Sequence, residues 1–104
     1  MRNWLTLMAC CTLLTLSSGA KADIYTEVNA LVQSGQWQPA QALAESRLKT
    51  TPTDPQMRLL LSHIQTGQGQ TEAAMDTLRA LTLSFPELAE PHNNLAALLA
   101  RANR

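Results

Sequence analysis

The chain has 104 residues, with eight Lys and Arg set against eight Asp and Glu, a formal charge of zero and two cysteines. That balance carries no basic footprint for nucleic acid, and the length allows one small domain. Residues 1–22 differ in kind from the rest. Arg2 supplies a positive start, Trp4 to Leu16 is an uncharged, mostly apolar run of thirteen residues, and Ala20-Lys21-Ala22 offers a small-x-small pattern. This is the anatomy of a secretory signal peptide cut before Asp23. A membrane anchor needs about 20 apolar residues, and Ser17-Ser18-Gly19 ends the run short of that. A lipoprotein reading through Leu7-Met8-Ala9-Cys10 requires acylation at Cys10 after a very short apolar run and is the minor alternative. The expected protein is exported, bacterial and periplasmic, with no membrane span after cleavage. Cleavage removes Cys10 and Cys11, so residues 23–104 form no disulfide, and they carry six Lys and Arg against eight Asp and Glu. Small exported domains with thin cores are usually stapled by cystines; this one is expected to be held by helix packing or by a partner.

In chain order, Asp23 is placed to cap a first helix. Ile24, Val28 and Leu31 follow at the helical spacing, and Gly35 supplies a left-handed stop. Pro39 fits the first turn of a second helix, whose packing face is Ala40, Leu43, Ala44 and Leu48. Thr51-Pro52 ends that helix. Asp54-Pro55 restarts the chain with a cap followed by a proline at the first helical position. The third helix is predicted from Pro55 to about Thr66, with Gly67 and Gly69 loosening the next turn. Thr71 is a candidate cap for a fourth helix that Phe85-Pro86 closes, and Pro91 begins a fifth that continues to the end.

Three small or rigid residues recur at a spacing of 34: Gly35 returns as Gly69, Ala40 as Ala74 and Pro52 as Pro86. Leu61-Ser62, Ala74, Leu78 and Pro86 of the second copy, and Leu95-Ala96 with Leu99 of the third, fall at set offsets within it. The pattern resembles the tetratricopeptide repeat, a helix-turn-helix unit whose weak consensus places an aromatic, a Leu-Gly pair, an aromatic, an Ala, a Phe and a Pro at those offsets. The resemblance covers nearly all of the chain beyond Ala22. It implies an all-α array of about two and a half repeats and five helices: about 23–54, 55–88 and a partial 89–104. The first copy departs most, offering Glu27-Val28 for Leu-Gly, Ala44 for Phe and Arg47 where a small residue is usual, while Trp37 falls in its interhelix turn, where the family often carries an aromatic. Small residues at Ala40, Ser62, Ala74 and Ala96 let antiparallel helices approach closely, while Leu61, Leu78, Leu81 and Leu95 interdigitate across the interface.

The sequence points to no catalysis. His63 and His92 lie on separate repeats with no HExxH or similar ligand spacing, so neither a metal nor another cofactor is expected. His92 falls in a slot where the family's first helix carries a large residue, and is read as a packing residue. No GxSxG or glycine-rich phosphate loop occurs, and Glu45, Asp76 and Glu87 scatter over different helices instead of pairing for acid-base work. The resemblance implies a concave face built from the first helix of each repeat. Its groove positions are Tyr25, Asn29 and Gln33, then Leu59, His63 and Thr66, then Asn93, Ala97 and Arg101. The lysines of the family's carboxylate clamp are missing, and a neutral peptide segment is the expected ligand, since amide side chains satisfy a peptide backbone at both donor and acceptor. The expected function is a non-catalytic adaptor or assembly factor for an unidentified protein or peptide. A truncated copy of a longer repeat protein, or an accessory subunit of a cell-wall or polysaccharide enzyme, are the alternatives. Leu95, Leu98 and Leu99 on the fifth helix form a candidate patch for a weak homodimer.

Overall fold

The computed structural model describes residues 23–103; the predicted signal segment lies outside them. Five helices follow in order: α1 (Ile24–Gln33), α2 (Trp37–Thr50), α3 (Pro55–Gly67), α4 (Thr71–Ser84) and α5 (Ala89–Arg101). No strand occurs among the described residues. The connections alternate between three residues (34–36 and 68–70) and four (51–54 and 85–88), so the 34-residue period of the sequence is also the period of the backbone. Connections this short hold successive helices antiparallel. α3 sits at the centre, packed on α2 and α4 and more lightly on α1, and α5 closes against α4.

Local chemistry explains most of the helix ends. Asp23 caps α1 by accepting the amide N–H groups of Tyr25 and Thr26 at 3.0 and 3.3 Å. Asp54 caps α3 by accepting the Met57 amide at 3.1 Å, with Pro55 at the first helical position. Gly35 and Gly69 adopt φ of +73° and +79°. At each, the amide reaches back to the second-last helical carbonyl, of Val32 or Thr66, while the next amide reaches Leu31 or Gln65. Both bonds together satisfy the carbonyls a helix leaves open at its end. Asn103, 34 residues after Gly69, takes φ +62° and bonds the Ala100 carbonyl in the same way.

Three boundaries differ from expectation. Thr71 opens α4 instead of capping it; the cap residue is Gln70, whose side chain makes no capping bond. α5 begins at Ala89, two residues before Pro91, because a proline in the first turn removes only an N–H that has no helical partner. Trp37, expected in the turn, is the first residue of α2.

The interior divides into two clusters. Val28, Ala40, Ala44, Met57 and Ile64 join α1, α2 and α3, while Ala74, Met75, Leu78, Leu81 and Leu98 join α4 and α5. Ala40 and Ala74 are wholly buried, and Ser62 nearly so, its hydroxyl donating to the Leu59 carbonyl at 2.7 Å. The small residues therefore stand where the helices approach most closely, with Ala96 the exception, exposed on α5. His92 is exposed too. It is not a packing residue: its Nε2 donates to the Pro86 carbonyl at 3.1 Å and ties α5 back to the preceding loop.

Candidate functional site

The first helices of the three repeats, α1, α3 and α5, share one face, and three depressions run along it. The first lies between α3 and α5, with Ser62, His63, Thr66 and Gly67 on one side, Asn94, Ala97 and Arg101 on the other, and Leu78 and Leu98 at the bottom. A second, between α1 and α3, is lined by Asn29, Val32, Gln33, Gln56, Leu59, Leu60 and His63, and reaches Glu90. The third continues over Pro55, Gln56, Leu59 and Leu88 to Glu90 and Pro91. His63 belongs to the first and second, and Gln56, Leu59 and Glu90 to the second and third, so the three adjoin one another as a groove along this face.

Helical phase decides which side chains line it. On α3, Gln56, Leu59, His63 and Thr66 follow one another at three and four residues, one stripe of the helix. On α5 the stripe is Glu90, Asn94, Ala97 and Arg101. Of the positions expected from sequence, Asn29, Gln33, Leu59, His63, Thr66, Ala97 and Arg101 line the groove. Asn93 does not, since one residue turns the direction by about 100°, and Asn94 takes its place. The Asn94 amide Nδ2 lies 3.4 Å from His63 Nε2, a long contact in which the amide donates and the ring nitrogen accepts across the α3–α5 gap. Gln56 joins the groove lining from α3, and Glu90 and Asn94 join it from α5, where the i, i+4, i+7, i+11 spacing is the signal that finds them.

Tyr25 has a different place. Its hydroxyl donates to Asp54 Oδ2 at 2.6 Å and accepts from an Arg47 Nη at 3.3 Å, while Arg47 Nε donates to the same Asp54 oxygen at 3.2 Å. The guanidinium carbon also stands 5.7 Å from the Tyr25 ring centroid, within cation–π range. The triangle ties α1, α2 and the start of α3 together, and Asp54 within it is only 7% exposed. Burial works to raise the Asp54 carboxyl, but hydrogen bonds from Tyr25, the Met57 amide and Arg47, with the guanidinium charge, outweigh it and hold the group below the usual carboxylate range. Arg47 is raised in turn, by its hydrogen bonds to Tyr25 and then to Asp54. This is why a long basic residue stands at a position where a small one is usual.

The three leucines of α5 separate. Leu98 is 5% exposed within the α4–α5 cluster, while Leu95 and Leu99 pack against that cluster half-buried. The large apolar side chains most open to solvent are Leu83, on the last turn of α4, and Leu88.

The groove offers amide, imidazole and hydroxyl groups over an apolar floor, a set suited to holding a polypeptide backbone. Among the described residues no group of three or more His, Cys, Asp or Glu side chains gathers as a metal site would. No described helix is long and apolar enough to cross a membrane. A family model described as tetratricopeptide repeat matches residues 31–102, from the middle of α1 to the end of α5. No curated protein and no solved structure matches the chain.

Proposed function

The chain belongs to the tetratricopeptide repeat family, and on that premise we propose that it is a non-catalytic adaptor or assembly factor of the cell envelope, holding a partner peptide or helix along the α1–α3–α5 face. The observation that carries this reading is that three adjoining depressions share His63 and Glu90 along one face. Their walls supply side chains that both donate and accept hydrogen bonds, as an extended backbone needs. A contact between copies draws less support from the fold, because Leu98 is already covered by α4 and leaves only Leu95 and Leu99 half-open.

The envelope location rests on the signal-peptide pattern of residues 1–22. N-terminal sequencing of the exported protein is expected to begin at Asp23. A start at Cys10 with a lipid adduct, or an uncut Met1, overturns the location. The partner role is tested by cross-linking and purification from the exported fraction. A partner that is lost with Asn94→Arg, in the groove, and kept with Asp76→Ala, on the exposed face of α4, supports the reading. Recovery that ignores both substitutions rejects it.

A further inference from the structure

The residues that line the groove include only two fixed charges, Glu90 and Arg101. Both stand on α5, eleven positions apart. Eleven residues turn a helix through about three full turns and a further 20°, so the two side chains leave α5 on the same face, roughly 16 Å apart along the axis. Asn94 and Ala97 lie between them on that stripe, and Asn94 faces His63 across the groove. Neither charge has an ion-pair partner among the described residues. The helix dipole favours an acid in the first turn and a base in the last, which accounts for the sign at each end of α5. It does not account for both falling on the groove stripe.

Resting on the peptide-binding reading above, we propose that the groove selects a dipolar segment: an extended peptide with a basic side chain over Glu90, an acidic one over Arg101, and uncharged residues between them against Asn94 and His63. An extended chain advances about 3.3 Å per residue and its side chains alternate between two faces, so the two charges of the ligand, which must share a face, stand about four or six residues apart. The two ends differ in sign, so the groove also sets the direction in which the segment lies. An all-acidic or all-basic peptide meets a like charge at one end, and a neutral peptide leaves both ends unmatched.

The test is selection of a displayed library of random dodecapeptides on the immobilised, purified protein. The selected sequences are expected to carry one basic and one acidic residue about four or six positions apart, on one face of the extended chain, predominantly in one order. The charge-exchanged variant, Glu90→Arg with Arg101→Glu, alters two exposed side chains, and its helix content, measured by circular dichroism, serves as the folding control. It is expected to select the opposite order and to bind the wild-type peptides about five- to tenfold more weakly, as two surface ion pairs warrant. Peptides whose binding is lost with Asn94→Arg but which show no paired charges, or no reversal in the exchanged variant, overturn the dipolar proposal and leave the groove reading standing. Failure to select any peptide sensitive to Asn94→Arg overturns both.

Discussion

Where α1 and α2 meet α3, Tyr25, Arg47 and Asp54 close a hydrogen-bonded triangle; 34 residues on, where α3 and α4 meet α5, the same three positions hold Leu59, Leu81 and Leu88. The exchange continues along the two joints. Gln68 donates its side-chain amide to Gln41 in the first, and the matching residues of the second are Met75 and Ala102. Trp37 lays its ring over Gly67, where even a Cβ would come within 2.6 Å of it; the second joint has Thr71 and Arg101 instead. One backbone geometry therefore carries two kinds of joint. The polar one constrains more, because a nearly buried carboxylate is satisfied only when all of its donors are in place. The apolar one depends on the Ala74, Met75, Leu78, Leu81 and Leu98 cluster, which fixes how much surface is covered more strictly than it fixes direction.

The sharpest way to break the comparison is to put the polar residue into the apolar joint. Arg47 is half-exposed beside its carboxylate, whereas Leu81 is wholly buried and has Leu88 where the carboxylate would be. Leu81→Arg is expected to cost on the order of 3 to 5 kcal/mol, as an unpaired buried charge does, and to release α5 in a thermal melt. A loss smaller than about 1 kcal/mol would mean that the second joint tolerates the polar residue as readily as the first.

Removing the carboxylate from the first joint comes next. Asp54→Ala takes away both the α3 cap and the acceptor for Tyr25 and Arg47, an expected loss of about 2 to 3 kcal/mol. The same group gives the first joint a pH dependence in the acid range. Its folded-state carboxyl lies below the ordinary range, so its stabilisation is fully present above the unfolded value of about 3.9 and is lost as the pH falls through the depressed folded value. Amide exchange in acid is expected to loosen α1 and α2 before α5, and Asp54→Asn is expected to flatten that difference.

The smallest effect sharpens the contrast from the other side. Leu88 occupies the cap position of α5 with no side-chain capping bond and is partly exposed. Leu88→Asp supplies the missing acceptor and is expected to stabilise by about 0.5 to 1 kcal/mol, read as slower exchange of the first amides of α5. No gain there would indicate that the caps are not what distinguishes the two joints.

The features that could be read from sequence are local or periodic. Asp23, Asp54, Gly35, Gly69 and the two helix-ending prolines act within a few residues of themselves, and the 34-residue spacing is visible in a single chain. The triangle is not legible in the sequence because its members lie at positions 25, 47 and 54, and each has a bland local explanation: groove residue, odd substitution, helix cap. Aligning the repeats on one another exposes it, since the three positions turn to leucine together. The contact of Trp37 with Gly67 is not legible in the sequence because it joins two helices, and neither residue alone indicates the other. Repeat slot points to Asn93 and the structure to Asn94, because the slot is a coarser guide than the roughly 100° step of the helix itself.

Residues 23–103 contain one tryptophan, and the fold seats that indole on the backbone of Gly67 at the first joint. In protein that begins at Asp23, and so lacks Trp4, its emission is a spectroscopic tag on one half of the array, while circular dichroism sums the helices of both halves. In a denaturant titration the two signals coincide if the joints open together. If α5 leaves first, ellipticity falls while the indole spectrum stays in place, so the unlabelled protein reports in one cuvette whether its two halves behave as one cooperative unit.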